Sequence, residues 1–213
     1  MKVKWLGHAC FLVTSSSGVR IITDPYTPDS SIQHGEIREL ADVVTISHEH
    51  FDHNNAESVR GRPVVLRQSG EVKGISFRAV RVYHDSARGK QRGSNTIFCF
   101  NVDNLNVCHM GDLGHILDEK QLEEIGRVDV LLIPVGGTFT VDADTASRVV
   151  AQIKPSITIP MHFKNEKVRL PVATVEAFLK NKPEVVRLDS SEIEITTANL
   201  PRQETIYVLK PAL

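Results

Sequence analysis

Ser47-His48-Glu49-His50-Phe51-Asp52-His53-Asn54 follows directly on the apolar run Asp42-Val43-Val44-Thr45-Ile46. The run reads as a short buried strand, which makes the polar octet the loop at its carboxyl end. Polar turns favour Asn, Asp, Gly and Ser for their turn geometry, so three histidines and an aspartate at this spacing answer a different need. In an extended segment residues i and i+2 share a face, and His48 and His50 can therefore converge on one cation. The turn beginning at Phe51 can aim Asp52 and His53 at another. Imidazole with carboxylate suits zinc, iron or manganese, and no softer ligand is on offer.

Working outward, the 213 residues carry 25 Lys+Arg against 26 Asp+Glu, a formal charge of -1. That balance argues against a nucleic-acid or anionic-membrane binder built on bulk charge. With 41% hydrophobic and 24% charged residues the composition is that of an ordinary globular protein. The longest apolar stretch, Val130 to Val135, is interrupted by Pro134 and falls far short of the ~20 residues of a membrane span. Met1-Lys2-Val3-Lys4 is basic but is followed by Gly7 and His8, without a small-residue cleavage pattern, and reads as a strand rather than a secretory signal. Cys10, Cys99 and Cys108 lie on apolar stretches with no Cys-x-x-Cys spacing, the pattern of buried thiols in a reduced, cytoplasmic setting.

Apolar runs predict about twelve strands: Val3-Leu6, Ala9-Thr14, Val19-Ile22, Asp42-Ile46, Val64-Leu66, Ile75-Val82, Thr96-Val102, Asn106-His109, Val128-Ile133, Ile157-Ile159, Val185-Leu188 and Thr205-Leu209. Asp118 with Gln121 three residues on predicts a capping box for a helix over Glu119-Ile125. Ala143-Ile153 carries apolar residues at helical spacing before Pro155, Pro171 can open a helix to about Lys180, and a further helix is expected near Ile37-Ala41. Strands and helices alternate after Asn106, which points to an α/β protein with two sheets covered by helices. No linker or repeat divides the chain, so residues 1-213 are expected to form one domain.

His-x-His-x-Asp-His at 48–53 resembles the signature of the metallo-β-lactamase superfamily. The resemblance implies an αββα four-layer sandwich and directs attention, in order, to the positions where that superfamily carries its remaining site residues. Asp24, in Ile21-Ile22-Thr23-Asp24-Pro25, matches a carboxylate that steadies the metal loop. His84 follows the strand-like Val80-Arg81-Val82-Tyr83. Asp112 follows Val107-Cys108-His109-Met110-Gly111 and matches the bridging carboxylate, and His162 follows Ile157-Thr158-Ile159-Pro160-Met161. The implied metal ligands are His48, His50, Asp52, His53, His84, Asp112 and His162.

Gly7-His8, the stretch from His109 to His115, Ile133-Pro134-Val135-Gly136-Gly137-Thr138-Phe139-Thr140 and Lys154-Pro155 leading to Pro160-Met161-His162 are similar to one branch, the ascorbate-6-phosphate lactonase (UlaG-like) and metal-dependent hydrolase group. That likeness implies a hydrolase with two divalent ions, zinc foremost with manganese or iron as alternatives. They would sit about 3.5–4 Å apart and use a bridging hydroxide on an ester, lactone or phosphodiester bond of a small phosphorylated metabolite. Asp52, Asp112 and His115 are then the candidate catalytic residues, His115 as a proton donor or phosphate contact from the loop after Asp112. Asp24, His8 and His109 are candidate supporting residues, with His8 open to lining the pocket or to a core hydrogen bond. His34 is read as surface. Lys164 and Arg169 read as solvated charge or as anion contacts near His162, and the Gly136-Gly137 turn as a plain turn or a ligand approach.

The expected partner is a small-molecule substrate, with no nucleic acid and no membrane. Three other readings compete. A redox di-iron protein of this superfamily carries glutamate at the middle ligand position, where His50 stands. A nucleic-acid phosphodiesterase of this superfamily normally carries an inserted clamp or basic arm, and 213 residues leave no room for a large one. A non-catalytic metal-binding protein loses ligands, and all seven are present.

Overall fold

Ile21 and Ile22 are both wholly buried, yet they belong to different apolar clusters, because consecutive strand residues point to opposite faces. This two-sided burial runs through the first half of the chain. In the computed structural model, which describes residues 1–213, the strands are β1 (Lys2–Gly7), β2 (Cys10–Thr14), β3 (Arg20–Thr23), β4 (Val43–Thr45), β5 (Val64–Leu66), β6 (Gly70–Val72), β7 (Ile75–Tyr83), β8 (Ser94–Val102), β9 (Leu105–His109), β10 (Val130–Pro134), β11 (Ile157–Met161), β12 (Val185–Arg187), β13 (Glu192–Glu194) and β14 (Thr205–Val208). The helices are α1 (Glu119–Ile125), α2 (Ala143–Ile153) and α3 (Val175–Leu179).

A six-stranded sheet has the order β13-β1-β2-β3-β4-β5, and an eight-stranded sheet the order β12-β14-β11-β10-β9-β8-β7-β6. In each, a parallel group (β3 to β5; β12, β14, β11, β10 and β9) adjoins an antiparallel one. The inward residues of the smaller sheet, among them Trp5, Phe11, Val13, Ile21 and Val43, join the larger sheet and the helices in one cluster of 45 buried residues. The expected α/β sandwich of the metallo-β-lactamase type is therefore present.

The three helices pack on the cluster that holds the larger sheet. Asp118 accepts from the Gln121 N–H and the Gln121 side chain accepts from the Asp118 N–H, the reciprocal cap read from the sequence. In α2, Ala146, Val149 and Val150 form the buried stripe and Asp142 caps the start by accepting from Thr145 N–H. α3 is shorter than expected and begins at Val175, well after Pro171.

The helix expected near Ile37-Ala41 does not form. Ile37 and Ala41 are buried in the second cluster, on the outer face of the smaller sheet, with Leu6, Ile22, Tyr26, Ile32, Val44 and Ile46, but the chain that delivers them is irregular. One outer layer is thus made largely of irregular chain rather than α-helix. Strands β6 and β13 were not expected; both are three residues long, and Glu192–Glu194 is a polar edge strand with no apolar alternation to read. The three cysteines are unpaired and buried. No helix is long and apolar enough to cross a membrane.

The fold gathers its chemistry at strand ends. Asp24 follows β3, the 48–53 loop follows β4, His84 follows β7, Asp112 stands three residues beyond β9, and His162 follows β11. Segments more than a hundred residues apart in sequence thereby meet between the two sheets.

Candidate metal centre

Asp24 is wholly buried and organises the loop. Its Oδ1 accepts from the Ser47 N–H at 2.8 Å, and its Oδ2 accepts from the Ser47 hydroxyl at 2.5 Å and from His53 Nδ1 at 2.9 Å. Because the Ser47 hydroxyl gives its proton to Asp24, it must accept from His48 Nδ1, 2.9 Å away. One carboxylate thus keeps a proton on Nδ1 of both imidazoles, so that Nε2 of each is the atom left to take a metal, the carboxylate–histidine arrangement found behind metal ligands.

Those Nε2 atoms and two more face one carboxylate. The Nε2 atoms of His84, His53, His162 and His48 lie 3.2, 3.3, 3.5 and 4.0 Å from the Asp112 carboxylate, and His53 Nε2 lies 3.6 Å from Asp52 Oδ2. Ligand atoms of His48, His50 and His84 cluster within 4.8 Å of one another, as do those of Asp52, His53, His162 and His8. Buried polar atoms ordinarily find partners, yet His48 Nε2, His53 Nε2, His162 Nε2 and Asp112 Oδ1 have none. Hard-to-bury donors aimed at a common centre are what divalent cations require, and the residues present suit such ions.

Electrostatics keep the donors available. Burial, helped by the nearby His53, lowers His48 to about 3, so its ring is neutral at physiological pH. Burial and His162 bring His8 to about 3 as well. A neutral His8 can only donate Nε2–H to Asp52 Oδ2, 3.1 Å away, which makes it a brace for that carboxylate. Burial opposes ionisation of Asp112, but His162 and His53 hold it well below the usual carboxylate range. His53 behaves differently: burial alone would depress it, but Asp112 and Asp52 raise it well above an ordinary histidine.

The Asp112 turn is held by residues that only the fold brings close. Asn95, wholly buried on β8, accepts from the Asp112 N–H at 2.9 Å and donates to Met110 O at 2.8 Å. Gly111 has φ +52, and a β-carbon there would lie 2.3 Å from Asn95 Oδ1 and 2.6 Å from Ser47 Cβ, so no side chain is tolerated between the metal loop and the Asp112 loop.

The Beta-lactamase superfamily domain model matches residues 2–162. A UPF0173 metal-dependent hydrolase of Methanospirillum hungatei is 31% identical over 199 residues, covering 81% of this chain and 88% of that protein. The chain belongs to the UPF0173 family. A second UPF0173 metal-dependent hydrolase, from Thermococcus onnurineus, is 30% identical and covers 91% of this chain and 98% of its own length. Among solved structures, a candidate Zn-dependent hydrolase of the metallo-β-lactamase superfamily from Thermotoga maritima superposes with a TM-score of 0.81 at 34% identity, covering 98% of this chain and 97% of the other. Human tRNase Z, short form, shares the fold at 11% identity and TM-score 0.56.

In this UPF0173 protein all seven residues read as ligands from the sequence lie in one cluster, and the flanking histidines divide by their partners. His109 Nε2 donates to Ala9 O at 2.8 Å while Nδ1 accepts from the Gly111 N–H at 3.2 Å, so both of its nitrogens are engaged by backbone. His115 does not reach the cleft. Its Nε2 accepts from the Tyr83 N–H at 3.1 Å and its Nδ1 donates to Ile116 O at 2.7 Å, so both nitrogens are engaged in joining the loop after Asp112 to the end of β7. His34 is 2% exposed rather than at the surface. Its Nε2 accepts from the His8 N–H at 3.3 Å and its Nδ1 faces Leu213 O at 3.1 Å, which supports His8 in a left-handed backbone, φ +52. Lys164 and Arg169 turn to Leu170 O and to the Gln33 side chain, not to the metal cluster.

The raised His53 makes metal uptake pH-dependent. Its proton must leave before Nε2 can take a cation, whereas His48 and His8 are already neutral. Zinc affinity is expected to climb with pH from the ordinary histidine range upward, with proton release on uptake measurable by calorimetry in two buffers of different ionisation enthalpy. Uptake without proton release would remove His53 from the ligand set.

Proposed function

We propose that this UPF0173 protein is a binuclear hydrolase that cleaves an ester, lactone or phosphodiester bond in a small phosphorylated metabolite, with zinc as its native metal. His48, His50 and His84 would hold one ion, Asp52, His53 and His162 the other, and Asp112 both. The observation that carries this reading is the set of buried, unpartnered Nε2 and Oδ1 atoms converging on one point beneath an open cleft. Divalent ions held there supply Lewis acidity and a hydroxide nucleophile near neutral pH.

The chain's own residues shape the reaction around that chemistry. Asp24 and Ser47 fix the tautomers of His48 and His53. Asp52 lines the cleft and is kept anionic against the cost of burial by His53 and His8, and so can orient an attacking water. Phe51, Phe139 and Leu170 form the apolar side of the same cleft of about 450 Å³ and can exclude water from the reacting bond. No protein nucleophile is called on: Cys10 is wholly buried, and burial pushes its thiol well up.

A metal-reconstituted panel setting sugar-phosphate lactones against small phosphodiesters tests the reading. Turnover on one class should vanish with a chelator, return with zinc, and ignore a serine-directed inhibitor. Turnover indifferent to chelation would refute the proposal, as would a fully zinc-loaded protein inert on both classes.

A further inference from the structure

The metal loop is bordered by a second cleft, of about 520 Å³, that meets the first at Glu49, His50 and Arg92. Its character is different. Ile46 is its single apolar residue, and three arginines from separate parts of the chain line it: Arg67 after β5, Arg81 on β7 and Arg92 in the loop between β7 and β8. The only acid lining it, Glu49, accepts from Arg67 Nε at 2.6 Å. Arg81 and Arg92 line it with no ion pair and no side-chain hydrogen bond, Arg92 at the border it shares with the first cleft.

Their placement is built rather than incidental. Asp85, next to His84, accepts backbone N–H groups from Ala87, Gly89, Gln91 and Arg92 at 2.8–3.0 Å, which moulds the loop and fixes Arg92 relative to the metal ligand. The Arg92 guanidinium then lies over the Phe139 ring, 5.3 Å from its centroid. On the neighbouring strands Arg81 is paired with Thr96 and Tyr83 with Ser94, which sets Ser94 and Thr96 on the Arg81 face, and both residues line the same cleft as Arg81. Two guanidinium forks with two hydroxyls around one space match the several oxygens of a tetrahedral dianion better than a planar carboxylate, which a single fork satisfies.

We propose that Arg81 and Arg92, with Ser94 and Thr96, form a phosphate subsite that holds the substrate's non-reacting phosphate group beside His50 while the scissile bond lies over the metal cluster. The inference rests on the hydrolase reading for the second half of that statement, but phosphate recognition itself depends only on the protein. Calorimetric titration of zinc-loaded and zinc-free protein with inorganic phosphate separates the two.

Arg81→Gln and Arg92→Gln should each weaken phosphate binding about tenfold, and the double variant about a hundredfold, with zinc content unchanged. Glu49→Gln, which removes the competing negative charge, should tighten it. Arg187→Gln, at the distant strand β12 and paired with Glu176, should do nothing. Binding that survives the double variant, that requires zinc altogether, or that falls equally with Arg187→Gln would overturn the subsite. Intact arginine-dependent phosphate binding in a protein that hydrolyses nothing would instead overturn the hydrolase reading alone.

Discussion

Asp112→Ala is expected to purify with its bound metal largely lost and with turnover reduced by about a thousandfold or more, the scale of losing a main electrostatic element of a catalytic site. The carboxylate is 2% exposed and lies within 4.0 Å of Nε2 of His48, His53, His84 and His162. It is the carboxylate that faces the Nε2 atoms of both halves of the cluster, whereas Asp24 stands behind the rings on their Nδ1 side. Without it, two dications would face each other with Asp52 the only carboxylate left beside them and Asp24 one ring further back, behind His53, and mutual repulsion would expel at least one. Metal analysis of the purified variant, set beside its turnover, gives the result. Two retained ions with full activity would show that Asp112 does not join the halves. Cys10→Ala provides the contrast: a buried thiol outside the cluster is replaced by another small apolar residue, and both metal and turnover should persist.

Metal chemistry was legible in the sequence because it restricts residue types at fixed short spacing. Once 48–53 was read, the resemblance supplied Asp24, His84, Asp112 and His162, and the structure brings all of them together. The Asp118–Gln121 cap was legible for a related reason: both partners lie within one helical turn. What escaped reading depends on long-range pairing. Asn95 is an unremarkable strand residue until the fold sets it against Asp112, 17 positions away. His34 looks like a loop histidine until His8 and Leu213, 26 and 179 positions away, close around it.

The error at Ile37-Ala41 has the same origin. Apolar residues at i and i+4 satisfy a helix pattern, but here they seat an irregular segment on the outer face of a sheet. The cleft arginines carry no motif at all, since an exposed arginine on a strand is indistinguishable from solvated charge until its neighbours show whether a carboxylate answers it. Lys164 and Arg169 stand near His162 in sequence, yet the fold turns both elsewhere.

Asp24→Asn, a change of one atom, is expected to cost about 3–5 kcal/mol of stability in the metal-free protein, the range for breaking a buried charge-assisted network, and about 10–100-fold in zinc affinity. The carboxylate accepts from three donors, the Ser47 N–H, the Ser47 hydroxyl and His53 Nδ1. An amide offers one oxygen, and its NH2 must then point at a group that is itself a donor. If the nitrogen faces Ser47 and His53, the hydroxyl has to reverse, His48 loses its acceptor, and both imidazoles are free to adopt the tautomer that puts a proton on Nε2.

The lost affinity should therefore appear even at temperatures where the variant is fully folded, because it arises from the orientation and protonation of His48 and His53 rather than from unfolding. Denaturant melts of metal-free protein report the first effect and competitive zinc titration the second. Asp24→Asn with wild-type zinc affinity in a destabilised fold would make Asp24 a packing residue only. Weakened affinity at unchanged stability would place its whole contribution in aiming the two rings.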